Sequence, residues 1–173
     1  NAVVAWNPQL SVMKAQPGAK EVFSSAQIPG EILGLLVVDT ATLKANPNLG
    51  KALAGIWYET VALMQRQDAQ GKEARAAMAK LAGTTPENFD SQLSTTYLYS
   101  DPKAAVAAAS APQLITTIKQ VRDFSFSKGL LKGAASADAV GMAFPGGKTL
   151  GDPARVTLRF DESFMKLAAD GKL

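Results

Sequence analysis

The sequence predicts an α/β fold with a helical C-terminal section. Three observations lead there. Short apolar runs of strand length come first, at residues 2–6, 20–24 and 32–38. A series of amphipathic segments bounded by capping residues and prolines follows, from 47 to 128. One alternating run, 156–160, comes late. Period-two or continuous apolar runs bounded by turn residues read as strands, and i, i+3/i+4 spacing reads as helix.

Residues 2–6 (AVVAW) form a short buried-strand pattern stopped by Asn7-Pro8. Pro8 suits the first position of a helix, and 9–16 can supply one before Pro17-Gly18 ends it. Residues 20–24 (KEVFS) are a second strand candidate. Residues 32–38 (ILGLLVV) are apolar enough for a strand covered on both faces. Asp39 or Thr40 can cap the helix that follows. A long helix is predicted over 47–67, with Leu49, Leu53, Ile56, Thr60 and Leu63 on its buried side and Trp57, Val61 and Met64 widening it. Residues 72–82 repeat the pattern through Ala74, Ala77, Met78 and Leu81, and Gly83 sits where a helix-ending glycine belongs. Thr85-Pro86-Glu87 and Asp101-Pro102 are helix starts. Another helix spans 112–128 with Leu114, Ile118, Val121 and Phe124 on one side. Residues 136–150 read as loop with a short helical piece, 156–160 as a strand and 161–169 as a terminal helix.

Composition narrows the chemistry. The 173 residues are 47% hydrophobic and 19% charged, ordinary for a globular domain. The net charge of +3 is spread out, with no block of like charges to suit nucleic acid or an anionic membrane. Cysteine and histidine are both missing, which excludes thiol nucleophiles, disulfides and every Ser-His-Asp or Cys-His arrangement. No apolar run is long enough to span a membrane. The chain enters an apolar run at its first residues, so it is expected to be an internal or C-terminal piece of a longer protein, or a processed product.

Two motifs invite chemical readings and do not sustain them. Gly146-Gly147-Lys148-Thr149 ends like a phosphate-binding loop, but Met142 stands where the first glycine is needed, and the strand–loop–helix setting is not evident. Glu87 with Asp90, or Asp161 with Glu162, could serve as an acid/base pair, but neither has an evident reason to be buried or shifted. Trp6-Asn7-Pro8 is more informative. In open α/β sheets ligands bind just beyond the carboxyl ends of strands. There an indole offers a flat face and a carboxamide offers donor and acceptor. The competing reading has Trp6 plugging the core and Asn7 capping a helix.

Several of these segments, in this order, resemble the nitrate/sulfonate/taurine-type solute-binding proteins of ABC importers. Residues 2–8 (AVVAWNP) are similar to that family's "D-A-x-x-x-W-x-P" segment. Leu35-Leu36-Val37-Val38-Asp39 followed by Leu43-Lys44-Ala45-Asn46-Pro47 resembles its strand, asparagine–proline turn and long helix. Residues 121–130 (VRDFSFSKGL) and Leu158-Arg159-Phe160-Asp161 fit as well. The wording is most similar to the branch associated with urea carboxylase regions.

The resemblance implies part of a periplasmic-binding-protein type II fold, two lobes closing on a ligand. Residues 1–28 would end the second lobe and cross back, and 29–173 would complete the first lobe with its helical flank. It implies a periplasmic or lipid-anchored extracellular protein, without cofactor or metal, that captures a small polar solute and hands it to a membrane permease. Urea or guanidine-like and nitrate or sulfonate-like solutes are the implied classes. Trp6 and Asn7 would face the ligand. For a cationic cargo Asp39, or else Glu31, would supply the carboxylate. The alternatives are a helical protein-interaction domain without small-molecule ligand and, against the missing histidine and cysteine, an enzyme on the same fold.

Overall fold

Residues 1–173 are all described in the computed structural model. The chain divides into two compact units, Asn1–Ser24 with Ile56–Ser100, and Ser25–Gly55 with Asp101–Leu173. Its α-helices are α1 (Gln9–Lys14), α2 (Thr40–Ala45), α3 (Pro47–Gln65), α4 (Ala69–Leu81), α5 (Pro86–Ser94), α6 (Pro102–Ser110), α7 (Pro112–Ser127) and α8 (Ser163–Ala169). Strands β1 (Gly141–Phe144), β2 (Lys148–Leu150) and β3 (Val156–Arg159) form one small sheet. Helices and a mixed sheet together place the chain in the α/β range.

The helix boundaries follow local chemistry. Asp39, Asp68, Thr85 and Asp101 each accept a hydrogen bond from a backbone N–H in the first turn of the helix they open. Pro86, Pro102 and Pro112 occupy first helical positions, where the missing N–H costs nothing. At Gly83 the backbone turns left-handed (φ +66°), and Thr84 N–H returns to the Ala79 carbonyl, the closing bond of a Schellman motif.

In the first unit, α4 packs on α5. The buried stripe of α4 is Gly71, Arg75 and Ala79, four residues apart. This corrects the predicted face: Leu81 is 89% exposed. The reason is a guanidinium. Arg75 is buried, and its Nη1 donates to the carbonyls of Met64 (2.8 Å) and Arg66 (2.6 Å), two of the unpaired acceptors at the C-terminal end of α3. Its Nε donates to Asp90 Oδ1 on α5 at 2.7 Å. A glycine is required at 71 because a Cβ there would overlap the Arg66 carbonyl. Small residues let the helices close around the arginine, and Leu81 lies beyond that contact.

In the second unit, α6 packs on α7 and α8, and the Phe164 ring lies against the backbone of Gly50 near the start of α3. The sheet order is β2-β1-β3, with β1 antiparallel to β2 and parallel to β3. Met142 and Phe144 of β1 are core residues. Arg122 of α7 is buried. It donates from Nε and Nη2 to Asp123 Oδ1 and pairs through Nη1 with Asp138 at 2.9 Å, which ties α7 to the turn before β1. Its other buried neighbour in the helix is Thr117; of the predicted apolar side, Leu114 and Ile118 are half-buried and Val121 and Phe124 are exposed.

The strands are where sequence and structure part. Residues 2–6, 20–24 and 32–38 form no strand, and most of their side chains lie open, with Val4 97%, Val22 91% and Leu36 68% exposed. A strand forms only where a neighbouring strand takes up its backbone hydrogen bonds, and none of these segments belongs to the sheet. Conversely, β1 and β2 arise within the stretch predicted as loop. Gly141 hides β1 from pattern reading, yet only glycine fits there, because a Cβ would strike the Asp152 and Arg155 carbonyls. Gly146 and Gly147 turn β1 into antiparallel β2, with left-handed φ at both, and no helix follows. A strand does precede the Gly-Gly-Lys-Thr run, but the turn is a hairpin and not a phosphate cradle.

Arg75→Met should lower unfolding free energy by about 2–3 kcal/mol, because buried carbonyls lose their donor. Asp90→Asn should cost under ~1 kcal/mol, its carboxylate being 52% exposed. Urea unfolding of both variants checks the order, and equal losses would contradict it.

Candidate functional site

The first unit places Trp6 and Asn7 directly before α1, and the indole stands 69% exposed. Core plugging is therefore not its role within these residues. Asn7 is exposed too. Its Oδ1 accepts a hydrogen bond from Ser11 Oγ at 2.8 Å, one turn into the helix. The carboxamide is thereby oriented, and its amide group stays available.

Beside this turn lies a groove of about 240 Å³ bounded by α1 and α5. Ser11, Gln16, Thr84, Asn88 and Gln92 give it hydroxyls and carboxamides. Val12 and Ala15 add apolar wall, and no charged side chain lines it. Gln92 Nε2 is itself sealed from solvent.

Asp39 belongs to the second unit, so the three residues singled out in the sequence do not share one unit. Its Oδ1 accepts from Thr42 N–H (2.8 Å) and Thr42 Oγ1 (3.0 Å) as the cap of α2. Those bonds, the backbone one foremost, hold its carboxyl below the usual range. Glu31 is exposed in the same unit.

The second unit has a shallower cavity of about 380 Å³, walled by Pro145, Arg159, Phe160, Glu162, Ser163 and Lys166 among others. The rings of Phe144 and Phe160 stack at 4.8 Å beneath it. Glu162 accepts from Lys166 Nζ and from Ser110 Oγ, and its side chain is only 14% exposed. Sequence reasoning gave the Asp161–Glu162 pair no cause for a shift; the structure corrects this for Glu162. The Lys166 ammonium first, then the Ser110 hydroxyl, holds its carboxyl below the ordinary value of 4.5. Glu162 is thus a fixed anion, unsuited to general-acid work near neutrality. The i, i+4 spacing of Glu162 and Lys166 was readable in advance, but Ser110, 52 residues away, was not. For Glu87 and Asp90 the structure gives local duties: Glu87 lies in the first turn of α5, and Asp90 pairs with Arg75.

No group of three or more acidic, histidine or cysteine side chains is clustered to hold a metal ion, and no helix is long and apolar enough to cross a membrane. Among known proteins, no family, no curated protein and no solved structure matches the chain.

A depressed folded-state value means that Glu162 stabilises the fold above pH 4.5 and loses that contribution as pH falls through the lower folded value. The melting temperature of the native protein should therefore fall more steeply below pH 4.5 than that of Glu162→Gln. Parallel curves in differential scanning calorimetry would remove the carboxylate from this role.

Proposed function

We propose that the chain is part of the solute-binding component of an ABC importer. It captures a small polar ligand outside the cytoplasmic membrane and delivers it to a permease without transforming it. One observation supports this more than any other: Trp6 is held out of the core, beside an Asn7 carboxamide oriented by Ser11. An exposed indole next to a fixed amide can stack on a planar guest and hydrogen-bond its edge. The open apolar segments 2–6, 20–24 and 32–38 agree with a two-lobed architecture of type II periplasmic-binding-protein form, in which further strands cover them. Urea-like or nitrate-like solutes are the proposed cargo.

A helical protein-interaction domain is the second reading. Ile56 (61% exposed) and Trp57 (43%), adjacent on α3, favour it. A partner docked there would lose affinity with Trp57→Ala and be indifferent to Trp6→Ala.

For the transport reading, calorimetry on the intact binding protein that carries this chain should show Trp6→Ala weakening solute binding by about 1–3 kcal/mol, the loss of one aromatic contact and the surface it buried. Unchanged affinity would count decisively against it.

A further inference from the structure

Residues 32–38 (ILGLLVV) belong to the second unit and carry no charge. They enter no helix or strand, and no backbone hydrogen bond of the chain ends on them. Ile32, Leu35, Leu36 and Val37 are each at least half exposed. Water satisfies such peptide groups but is a poor surrounding for the aliphatic side chains, so the run gains by pairing.

The same unit carries a complementary surface. β3 stands at one end of the sheet order β2-β1-β3 and pairs with β1 alone, so no strand lies along its outer edge. The other end strand, β2, is a residue shorter and has Lys148 exposed on it, a common guard against edge pairing. Arg155 directly precedes β3 and Arg159 ends it, both exposed and neither in an ion pair. The acids that follow are engaged: Asp161 accepts from Ser163 N–H at 2.8 Å, and Glu162 pairs with Lys166. The run, for its part, is bracketed by Glu31 and Asp39. Cations thus frame the edge and anions frame the run, the complementarity that selects a partner.

We infer that the 32–38 run of one copy adds as a strand to the outer edge of β3 in a second copy, and reciprocally, closing a two-fold dimer. Each copy brings both surfaces, so one symmetric encounter makes two strand additions. A specific dimer hides about 800 Å² per partner, which leaves roughly 400 Å² to each surface, within reach of a seven-residue run this open. The inference is independent of the transport reading, which rests on Trp6 and Asn7 in the other unit.

Sedimentation velocity of the 173-residue chain over a range of concentrations tests it. A monomer–dimer equilibrium is expected, with a Kd that rises with salt. Leu36→Lys should raise that Kd about tenfold or more, and Arg159→Glu should raise it as well, with melting temperatures of the dilute monomers unchanged because both side chains are exposed. Hydrogen exchange should show the amides of 33–38 slowed in the dimer and fast in the monomer. A chain that stays monomeric overturns the inference, as does a dimer that tolerates Leu36→Lys or leaves 33–38 unprotected. Growth straight to fibres without a dimer also overturns it, since the pairing would then not close. Trp6→Ala should leave the dimer untouched, so its effect on solute binding and the fate of the dimer are read separately.

Discussion

A guanidinium taken almost out of water organises the first unit. Arg75 closes the C-terminal end of α3, fixes α4 across it and reaches α5 through Asp90. Buried charge is tolerated only when its donors are used, and here two carbonyls and a carboxylate use them. Gly71 permits the approach. The position of α5 then fixes Asn88 and Gln92, which lie on either side of Asp90 in the same helix and line the groove. The candidate site is thus held from behind by a contact that no apolar pattern announces.

Arg122 does comparable work in the second unit, joining α7 to the turn before β1 through Asp123 and Asp138. In both units a helix presents an arginine on its covered side while large apolar side chains remain open. This inverts the usual amphipathic arrangement. It explains why Leu81 and Phe124, which periodicity assigns to the core, are exposed, while Arg75 and Arg122 are buried.

Helices were legible because their signals are local. Thr85-Pro86 and Asp101-Pro102 start helices where their caps and fixed φ demand, and Gly83 ends one. Strands were not, because pairing is a long-range property. Residues 32–38 have strand chemistry and no partner, whereas Gly141–Phe144 has weak strand chemistry and two partners. Of the candidate site, Trp6 and Asn7 could be picked out by residue type and by the turn they flank. Gln92 could not. Nothing in the run Asp90-Ser91-Gln92-Leu93 shows that one amide nitrogen will be sealed from solvent.

The run ILGLLVV at 32–38 carries no charge and is bracketed by Glu31 and Asp39. A seven-residue, uncharged, β-prone stretch with an open backbone is a template for intermolecular cross-β growth, and flanking charges are how natural chains discourage it. Asp39 is well suited to that guard duty. The bonds from Thr42 that cap α2 also hold its carboxyl below the usual range, which favours a repulsive charge beside the stretch. One side chain serves both as the start of a helix and as a brake on fibril nucleation.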